Sequence, residues 1–188
     1  LRHREALASY GLVPQMQIFS YSQWVCDILQ SRHQLKAGKI IPSLDRTLFN
    51  TFAQDVSRPD GRVRLTAMIR PASPRRAAAE TLRILKLVYQ AHKSKVDIRV
   101  FGCSAEELDG LEEAKGFEFV NLGVLQRREV AMLFKGADVF LDASHFQAFG
   151  CAGLEAMACG CAAVVPRNGG SKAYVTDGRN GFLIDSQD

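Results

Sequence analysis

A turn rich in glycine, at the start of a predicted helix, is the feature of this sequence best suited to chemistry. Residues 150–153 read Gly-Cys-Ala-Gly and lie between the predicted strands 138–143 and 161–165. The first helical turn therefore has almost no side chains, and its unpaired N–H groups and positive dipole end can approach a phosphate. Glu155, about one turn further along, can accept hydrogen bonds from sugar hydroxyls. A phosphate beside a ring with hydroxyl groups indicates a nucleotide ligand.

The neighbours of Glu155 favour a binding role over an ordinary place on a helix surface. The rest of this helix, including Leu154 and Met157, is apolar or small. A buried carboxylate needs hydrogen-bond donors, and the two hydroxyls of a ribose would supply them. We therefore predict that Glu155 binds the ribose of the nucleotide.

The block from residue 147 onward resembles the donor-binding half of the retaining GT-B glycosyltransferases of the group 1 family. That family has an E-x-F-G motif, followed by a second Glu inside a helix that reads like EAMACG. Phe149 and Gly150 match the motif, and residues 155–160 read EAMACG with Glu155 as the second acid. Several short motifs in the right order and spacing make a specific signal. The resemblance implies that Phe149, Gly150 and Cys151 contact the donor.

The chain departs from the family pattern at two positions. Gln147 stands where the family has its first Glu, and Ala173 stands where another Glu is usual. The family's glycine-rich ending is otherwise present as Gly169-Gly170, Asp177-Gly178 and Gly181. In the family the first Glu meets hydroxyls of the donor sugar, and Gln keeps its length and one acceptor oxygen while losing the charge. We expect Gln147 to contact the sugar; a non-catalytic nucleotide-sugar binder is the alternative.

An arginine-rich turn follows the first predicted strand of the second half. Strand 63–69 ends in Arg70-Pro-Ala-Ser-Pro-Arg75-Arg76. Cations at a helix start oppose the helix dipole, so an anion is needed to offset them. The turn resembles the family's G-R-x-x-x-x-K-G turn, which implies that Arg70 and Arg75 contact the donor diphosphate. The forked guanidinium group suits phosphate oxygens.

The turn at 123–125 resembles the family's turn on which the base of the donor rests. This resemblance implies that Val124 and Leu125 contact the base.

From Val63 onward, predicted strands and helices alternate. Strands are predicted at 63–69, 96–102, 117–122, 138–143, 161–165 and 181–184. Helices are predicted at 74–92, 105–115, 127–135, 150–158 and 170–176. This alternation favours an α/β fold with a doubly wound, Rossmann-like parallel sheet, as in the donor domain of a GT-B fold. Ligands of such sheets bind at the carboxyl ends of the strands.

Before Val63 the organisation is different. The predicted elements are a strand at 17–20, a helix over 21–35, a strand at 39–42 and a linker over 43–61 that contains Pro59-Asp60-Gly61. The resemblance implies that residues 1–61 are the end of an N-terminal, acceptor-side domain with its linker, and that residues 62–188 are the donor domain. The chain starts without Met and stops just past the last strand, so we expect a fragment.

The composition bounds the class of protein. A chain of 188 residues with 47% hydrophobic content is typical of an ordinary globular protein. No apolar run approaches the ~20 residues of a membrane span, and the first residues lack the apolar core of a signal peptide. The five cysteines form no Cys-x-x-Cys pattern. Buried reduced thiols are therefore favoured over disulfides or a metal site, and a cytoplasmic location is expected.

The net charge of +4 is concentrated in residues 58–76, which hold six arginines and one acid, a local excess of six minus one, or +5. A solvated rim, a diphosphate site, and a face attracted to acidic lipid at the inner side of a membrane are the alternatives. A nucleic-acid partner is disfavoured because no aromatic residues interleave with the arginines.

The function implied by the resemblance is transfer of a sugar, with retention, from a nucleoside-diphosphate sugar to a glycan or a lipid-linked glycan. Arg70 and Arg75 would stabilise the leaving diphosphate. No Asp-x-Asp stands at a strand end, so neither a metal nor another cofactor is expected. The catalytic groups would lie in the missing domain, and the fragment would be inactive. An oxidoreductase is disfavoured because residues 70–76 contain no glycine for a G-x-G-x-x-G turn.

Overall fold

The computed structural model describes residues 2–52 and 61–185. The helices are α1 (Arg2–Ser9), α2 (Gln23–His33), α3 (Ala78–His92), α4 (Ala105–Asp109), α5 (Arg127–Lys135) and α6 (Cys151–Ala158). The strands are β1 (Ile18–Ser20), β2 (Ala37–Lys39), β3 (Val63–Met68), β4 (Val96–Phe101), β5 (Val120–Asn121), β6 (Val139–Leu141), β7 (Ala162–Pro166) and β8 (Phe182–Ile184). Short 3-10 turns span Pro74–Arg76, Lys93–Lys95, Glu112–Ala114 and Gly170–Ala173.

The main sheet is parallel and has the strand order β5-β4-β3-β6-β7-β8. The chain winds outward from β3 to one edge and then returns to add β6, β7 and β8 on the other side. Strand order reverses between β3 and β6, and this topological switch point is where open α/β sheets form a ligand crevice at the carboxyl ends of their strands. The predicted doubly wound, Rossmann-like sheet is confirmed.

Apolar clusters lie on both faces of the sheet, because alternate side chains of a strand point to opposite faces. On one face, Leu82 and Leu85 of α3 pack in a cluster with Ile98 of β4. On the other face, the ring of Phe134 in α5 packs on the ring of Phe140 with centroids 5.3 Å apart. Helices therefore cover both faces, and the strand ends are left to carry the site.

Residues 18–39 form a small unit beside the main sheet, whereas Phe49 packs in the apolar core of the main domain. Strands β1 and β2 pair in parallel, and α2 begins after Ser22, whose hydroxyl caps Val25 N. The same hydroxyl donates to the carbonyl of Ala148 in the main domain. Ser22 is buried, so this contact fixes α2 against the loop that precedes α6. The domain boundary predicted at residue 61 stays a prediction.

Several predicted elements need correction. The strand predicted at 117–122 is reduced to the two residues of β5. The strand predicted at 39–42 is observed at Ala37–Lys39, and it ends shortly before Pro42, which has no N–H to donate. The helix predicted over 74–92 is interrupted at Ala77, which has a left-handed φ of 49°. The helix predicted at 105–115 is split at Gly110 into α4 and a 3-10 turn. The helix predicted at 170–176 is a 3-10 turn, and helix α1 was not predicted. Residues 53–60 of the predicted linker, with Arg58, Pro59 and Asp60, lie outside the described residues.

Candidate functional site at the sheet switch point

Two loops meet at the switch point between β3 and β6. The first is the arginine-rich turn after β3, and the second runs from Asp142, after β6, to the start of α6. The backbone N–H of His145 donates to the carbonyl of Arg75 at 3.0 Å, which joins the loops directly. The structure thus brings together the arginine turn and the glycine-rich helix start that the sequence separates by about seventy residues.

The N-terminus of α6 faces this crevice without a side-chain cap. Gly150 is the N-cap residue, has a left-handed φ of 86° and, as a glycine, has no side chain to accept from the first turn. Tyr174 supports the turn from behind, because its hydroxyl donates to the carbonyl of Gly150 at 2.7 Å. Burial raises the pKa of Tyr174, so its hydroxyl stays a donor. The turn can therefore offer N–H groups and a positive dipole end to an anion.

Close packing explains why the first turn of α6 needs small residues. A Cβ on Gly153 would lie 2.6 Å from the hydroxyl oxygen of Tyr174. Phe149 is only 4% exposed and packs on Tyr174 with ring centroids 5.3 Å apart. Its side chain supports the turn from inside the fold, whereas Cys151 is exposed at the start of the helix. Of these two residues predicted to contact the donor, only Cys151 presents its side chain to solvent.

Gln147 lies between the two loops and is 4% exposed. Its amide nitrogen donates to Asp142 Oδ2 at 2.8 Å and to Ser144 Oγ at 2.9 Å. Its amide oxygen accepts from Arg75 Nη1 at 3.2 Å. The side chain predicted to meet the donor sugar is thus held by three protein partners, and its contact with a sugar stays a prediction.

The three arginines of the turn differ in their surroundings. Arg70 and Arg75 are exposed, as an anion site requires. Arg76 is partly buried, with Nη1 at 3.8 Å from Asp142 Oδ2. Burial lowers the pKa of Arg76, the Asp142 carboxylate opposes that shift, and Arg75 and Arg70 add to it by repulsion. Sequence reasoning missed Asp142, although an acid directly after an apolar strand at this sheet edge was the signal.

Glu155 lies in the second turn of α6 with 17% of its side chain exposed. Burial raises the pKa of this carboxyl, and Arg127 opposes the shift. Glu155 Oε1 lies 3.4 Å from Arg127 Nη2, and the guanidinium of Arg127 stands 5.2 Å above the centroid of the Phe49 ring. Glu155 therefore has a protein partner at the far side of the crevice, which sequence reasoning also missed.

The turn at 123–125 lies at the carboxyl end of β5. Gly123 has a left-handed φ of 71°, and its carbonyl accepts from Gly102 N at 2.8 Å. Val124 is 71% exposed, whereas Leu125 packs against the core on the α5 face. Only Val124 of the two residues predicted to contact the base has a freely accessible side chain, and both contacts stay predictions.

The arginine-rich stretch does not form a single patch. Arg64 lies near the amino end of β3, about 20 Å from Arg70 at ~3.3 Å per residue. Its guanidinium pairs with Asp97 Oδ2 at 2.7 Å, and Arg99 pairs with the same oxygen at 3.1 Å. The positive charge at the crevice therefore comes from Arg70, Arg75 and Arg76. Arg58 lies outside the described residues.

The described part of the chain, residues 2–52 and 61–185, has neither a metal cluster nor a membrane-spanning helix. In this part of the chain there is no group of three or more His, Cys, Asp and Glu side chains that could hold a metal ion, and no helix is long and apolar enough to cross a membrane. All five cysteines are free thiols. Four of them are buried, and Cys151 is the exposed exception.

The fold is that of a Rossmann-like α/β domain, in which the arginine-rich turn and the start of α6 meet at the switch point. Residues 64–188 match the family model described as glycosyl transferases group 1. The match spans more than half of the chain, so the chain belongs to this family. The resemblance seen in the motifs from residue 147 onward is therefore confirmed.

Curated relatives share part of the chain. The D-inositol 3-phosphate glycosyltransferase of Corynebacterium urealyticum is 34% identical over 102 residues, which cover 48% of this chain and 24% of the relative. The alpha-maltose-1-phosphate synthase of Mycolicibacterium smegmatis is 26% identical over 155 residues, which cover 76% of this chain and 37% of the relative. The chain thus spans only a minor part of the length of either relative.

A solved structure has the same fold. Anabaena HepE, crystallised with UDP and glucose, matches 91% of this chain with a TM-score of 0.69 and 21% sequence identity. The match covers 50% of the HepE chain. At this identity the likeness concerns the fold alone, and it agrees with the α/β architecture described above.

Proposed function

We propose that this chain is the donor-binding part of a glycosyltransferase that uses a nucleoside-diphosphate sugar. The observation that carries the proposal is the meeting of the uncapped α6 N-terminus with Arg75 and Arg76 at the switch point. Family membership supports it, and so does the UDP bound in the HepE structure.

The charges of the crevice suit a diphosphate. The arginine turn supplies three cations, Arg70, Arg75 and Arg76, and Asp142 supplies one carboxylate, which gives three minus one, or +2, before the helix dipole is counted. A diphosphate between the arginine turn and the first turn of α6 would receive forked guanidinium donors from one side and backbone N–H donors from the other. Cys151 and Gly150 would lie against its oxygens.

The ribose is assigned to Glu155. This residue follows the proposed phosphate position by about one helical turn, or ~5 Å, and its carboxylate is mostly buried. Two ribose hydroxyls would donate to the oxygens of Glu155, in competition with Arg127. The base would then lie toward the turn at Val124.

The reaction follows from what these groups can stabilise. When the bond between the anomeric carbon and the diphosphate breaks, negative charge develops on the leaving phosphate oxygen. Preorganised guanidinium groups and helix N–H donors stabilise that charge. We propose that transfer proceeds with retention, needs no divalent metal or other cofactor, and takes place in the cytoplasm, with the inner membrane face as an open alternative.

The acceptor is proposed to be a glycan or a lipid-linked glycan held by a partner domain. The two curated relatives leave room for such a domain, because this chain covers 24% and 37% of their lengths. The chain on its own is then expected to bind the nucleotide without transferring sugar. The second candidate is a non-catalytic nucleotide-sugar binder, which the replacement of the family's first Glu by Gln147 favours.

Calorimetry tests the proposed ligand. We expect the folded chain to bind at least one of uridine, thymidine and guanosine diphosphate. Heat from none of the three, with folding verified by circular dichroism, would count against the proposal. Sugar transfer by the full-length protein separates the enzyme from the non-catalytic binder.

A further inference from the structure

The hydrogen bonds around Gln147 are complementary at every polar atom of its amide. A primary amide has two N–H donors and one oxygen acceptor. Both donors are used by acceptors, Asp142 at 2.8 Å and Ser144 at 2.9 Å, and the oxygen accepts from Arg75 at 3.2 Å. If Gln147 had replaced a functional acid without any change around it, some of its polar atoms would be expected to lack a suitable partner. Each polar atom of the Gln147 amide has one.

The direction of each bond in this network is fixed by charge. If the amide were turned over, its oxygen would face the Asp142 carboxylate and its nitrogen would face the Arg75 guanidinium, which has only donors. The Ser144 hydroxyl donates its proton to Asp142 Oδ1, so Ser144 Oγ is free to accept from Gln147. The bonds therefore run in one direction, from Arg75 through Gln147 to Asp142.

The backbone of Gln147 ties this network to the glycine pair at the start of the 3-10 turn Gly170–Ala173. The carbonyl of Gln147 accepts from Gly170 N at 2.8 Å, and a Cβ on Gly169 would lie 2.2 Å from the same carbonyl oxygen. These contacts fix the backbone of Gln147, which lies three residues before Gly150, the N-cap residue of α6. Gln147 therefore contacts Arg75 with its side chain and the 3-10 turn at Gly170 with its backbone, just before α6 begins.

A glutamate at position 147 cannot take the place of the amide while Asp142 is ionised. Its carboxylate would lie near 2.8 Å from the Asp142 carboxylate, at the distance of the present hydrogen bond. Two carboxylates this close, in a buried site, repel each other and keep one proton between them to a pH well above their ordinary pKa. The second carboxylate would also compete with a diphosphate for Arg75, whose Nη1 lies 3.2 Å from the amide oxygen of residue 147, while Arg76 faces Asp142 at 3.8 Å.

We infer that Asp142 is a positioning residue that makes an amide obligatory at position 147, so that Gln147 is a working part of the donor site. The inference rests on the proposed function in one respect, namely that Arg75 is placed for a diphosphate. If the inference holds, Gln147 is not a sign of lost activity. It then favours the glycosyltransferase over the non-catalytic nucleotide-sugar binder.

The experiment is a double-mutant cycle in the whole chain. The parent is compared with Gln147→Glu, Asp142→Asn and the double variant, and Gln90→Glu on the exposed face of α3 is the matched control. Unfolding midpoints are measured without ligand at about pH 5.5 and about pH 8. Affinities for uridine, thymidine and guanosine diphosphate are measured by calorimetry.

We expect Gln147→Glu to have a lower unfolding midpoint than the parent at the higher pH. The midpoint should return toward that of the parent as the pH falls, because the proton shared by the two carboxylates is bound more tightly in the folded state. Its nucleotide affinity at the higher pH should fall about ten-fold or more, a change of ~1.4 kcal/mol per factor of ten. Asp142→Asn should weaken binding too. The double variant restores one acid and one amide, so it should return to within about three-fold of the parent and lose the pH dependence.

Two results would overturn the inference. One is a Gln147→Glu variant that is as stable as the parent at both pH values and binds as tightly. The other is a double variant no better than Gln147→Glu alone. If the parent binds none of the three diphosphates, the proposed function fails, and the unfolding cycle still decides whether Asp142 and Gln147 are coupled.

Discussion

Replacing Glu155 by Gln should weaken nucleotide binding while leaving the fold intact. The change keeps the shape of the side chain and removes the charge that would accept from the ribose hydroxyls. Hydrogen bonds to a charged group contribute about 1.5–3 kcal/mol. The competing pair with Arg127 is long, at 3.4 Å, and the Arg127 side chain is 61% exposed, so that pair contributes only about 0–1 kcal/mol. We therefore expect affinity to fall roughly 10- to 100-fold.

The pKa of Glu155 gives this prediction a pH signature. Burial raises the pKa of Glu155 above its ordinary value of 4.5. Nucleotide affinity of the parent should therefore decline on acidification at a higher pH than an exposed Glu would cause, and Glu155→Gln should lack that step. A raised acid pKa favours the folded state at low pH, and that contribution is lost as pH rises through the folded pKa. At neutral pH the variant lacks the cost of a buried ionised carboxyl, so it should be at least as stable as the parent.

The assay is calorimetry with a ribose nucleotide and its 2′,3′-dideoxy analogue. Glu155→Gln should affect the dideoxy ligand much less, because that ligand has no diol. Glu113→Gln is the matched control, since Glu113 pairs with Arg83 at 3.5 Å outside the crevice. Equal affinity of parent and Glu155→Gln for both ligands would show that Glu155 is a structural residue.

Three further predictions concern the rest of the crevice. Arg75→Ala should lower diphosphate affinity about ten-fold or more and weaken its salt dependence, whereas Arg83→Ala on α3 should leave both unchanged, as titrations at two salt concentrations would show. Chelating divalent ions should leave diphosphate affinity unchanged, and strict dependence on magnesium or manganese would refute metal-independent binding. Gly170→Ala should destabilise the fold by about 1–3 kcal/mol or more, because its Cβ would lie 2.1 Å from the carbonyl oxygen of Ala148. Gly110→Ala, with 3.9 Å to its nearest atom, should be tolerated in the same denaturation experiment.

The sheet was predictable because its strands and helices alternate with strong apolar patterns. Strands β3 and β4 are central, and each keeps the position that its sequence predicts. Strand β5 lies at the sheet edge and pairs at only two positions, so burial constrains it less than its apolar pattern suggests. The break at Ala77 could not be predicted, because a left-handed Ala is imposed by its surroundings and not by local preference.

The site was predictable where one chain segment carries the chemistry. The uncapped turn at Gly150 and the acid at Glu155 belong to one helix, so spacing alone places them together. The contacts of Glu155 with Arg127 and of Gln147 with Arg75 join segments 28 and 72 residues apart. Such pairs depend on how the strands are ordered, and a single sequence does not specify that order residue by residue.

A crystal structure of this chain with a nucleoside diphosphate tests the proposed site most directly. We expect the diphosphate between Arg75 and the N–H groups of the first turn of α6, and the ribose hydroxyls within hydrogen-bond distance of Glu155. A nucleotide bound elsewhere on the chain, or one whose phosphates point away from Gly150, would contradict the assignment of this crevice as the donor site.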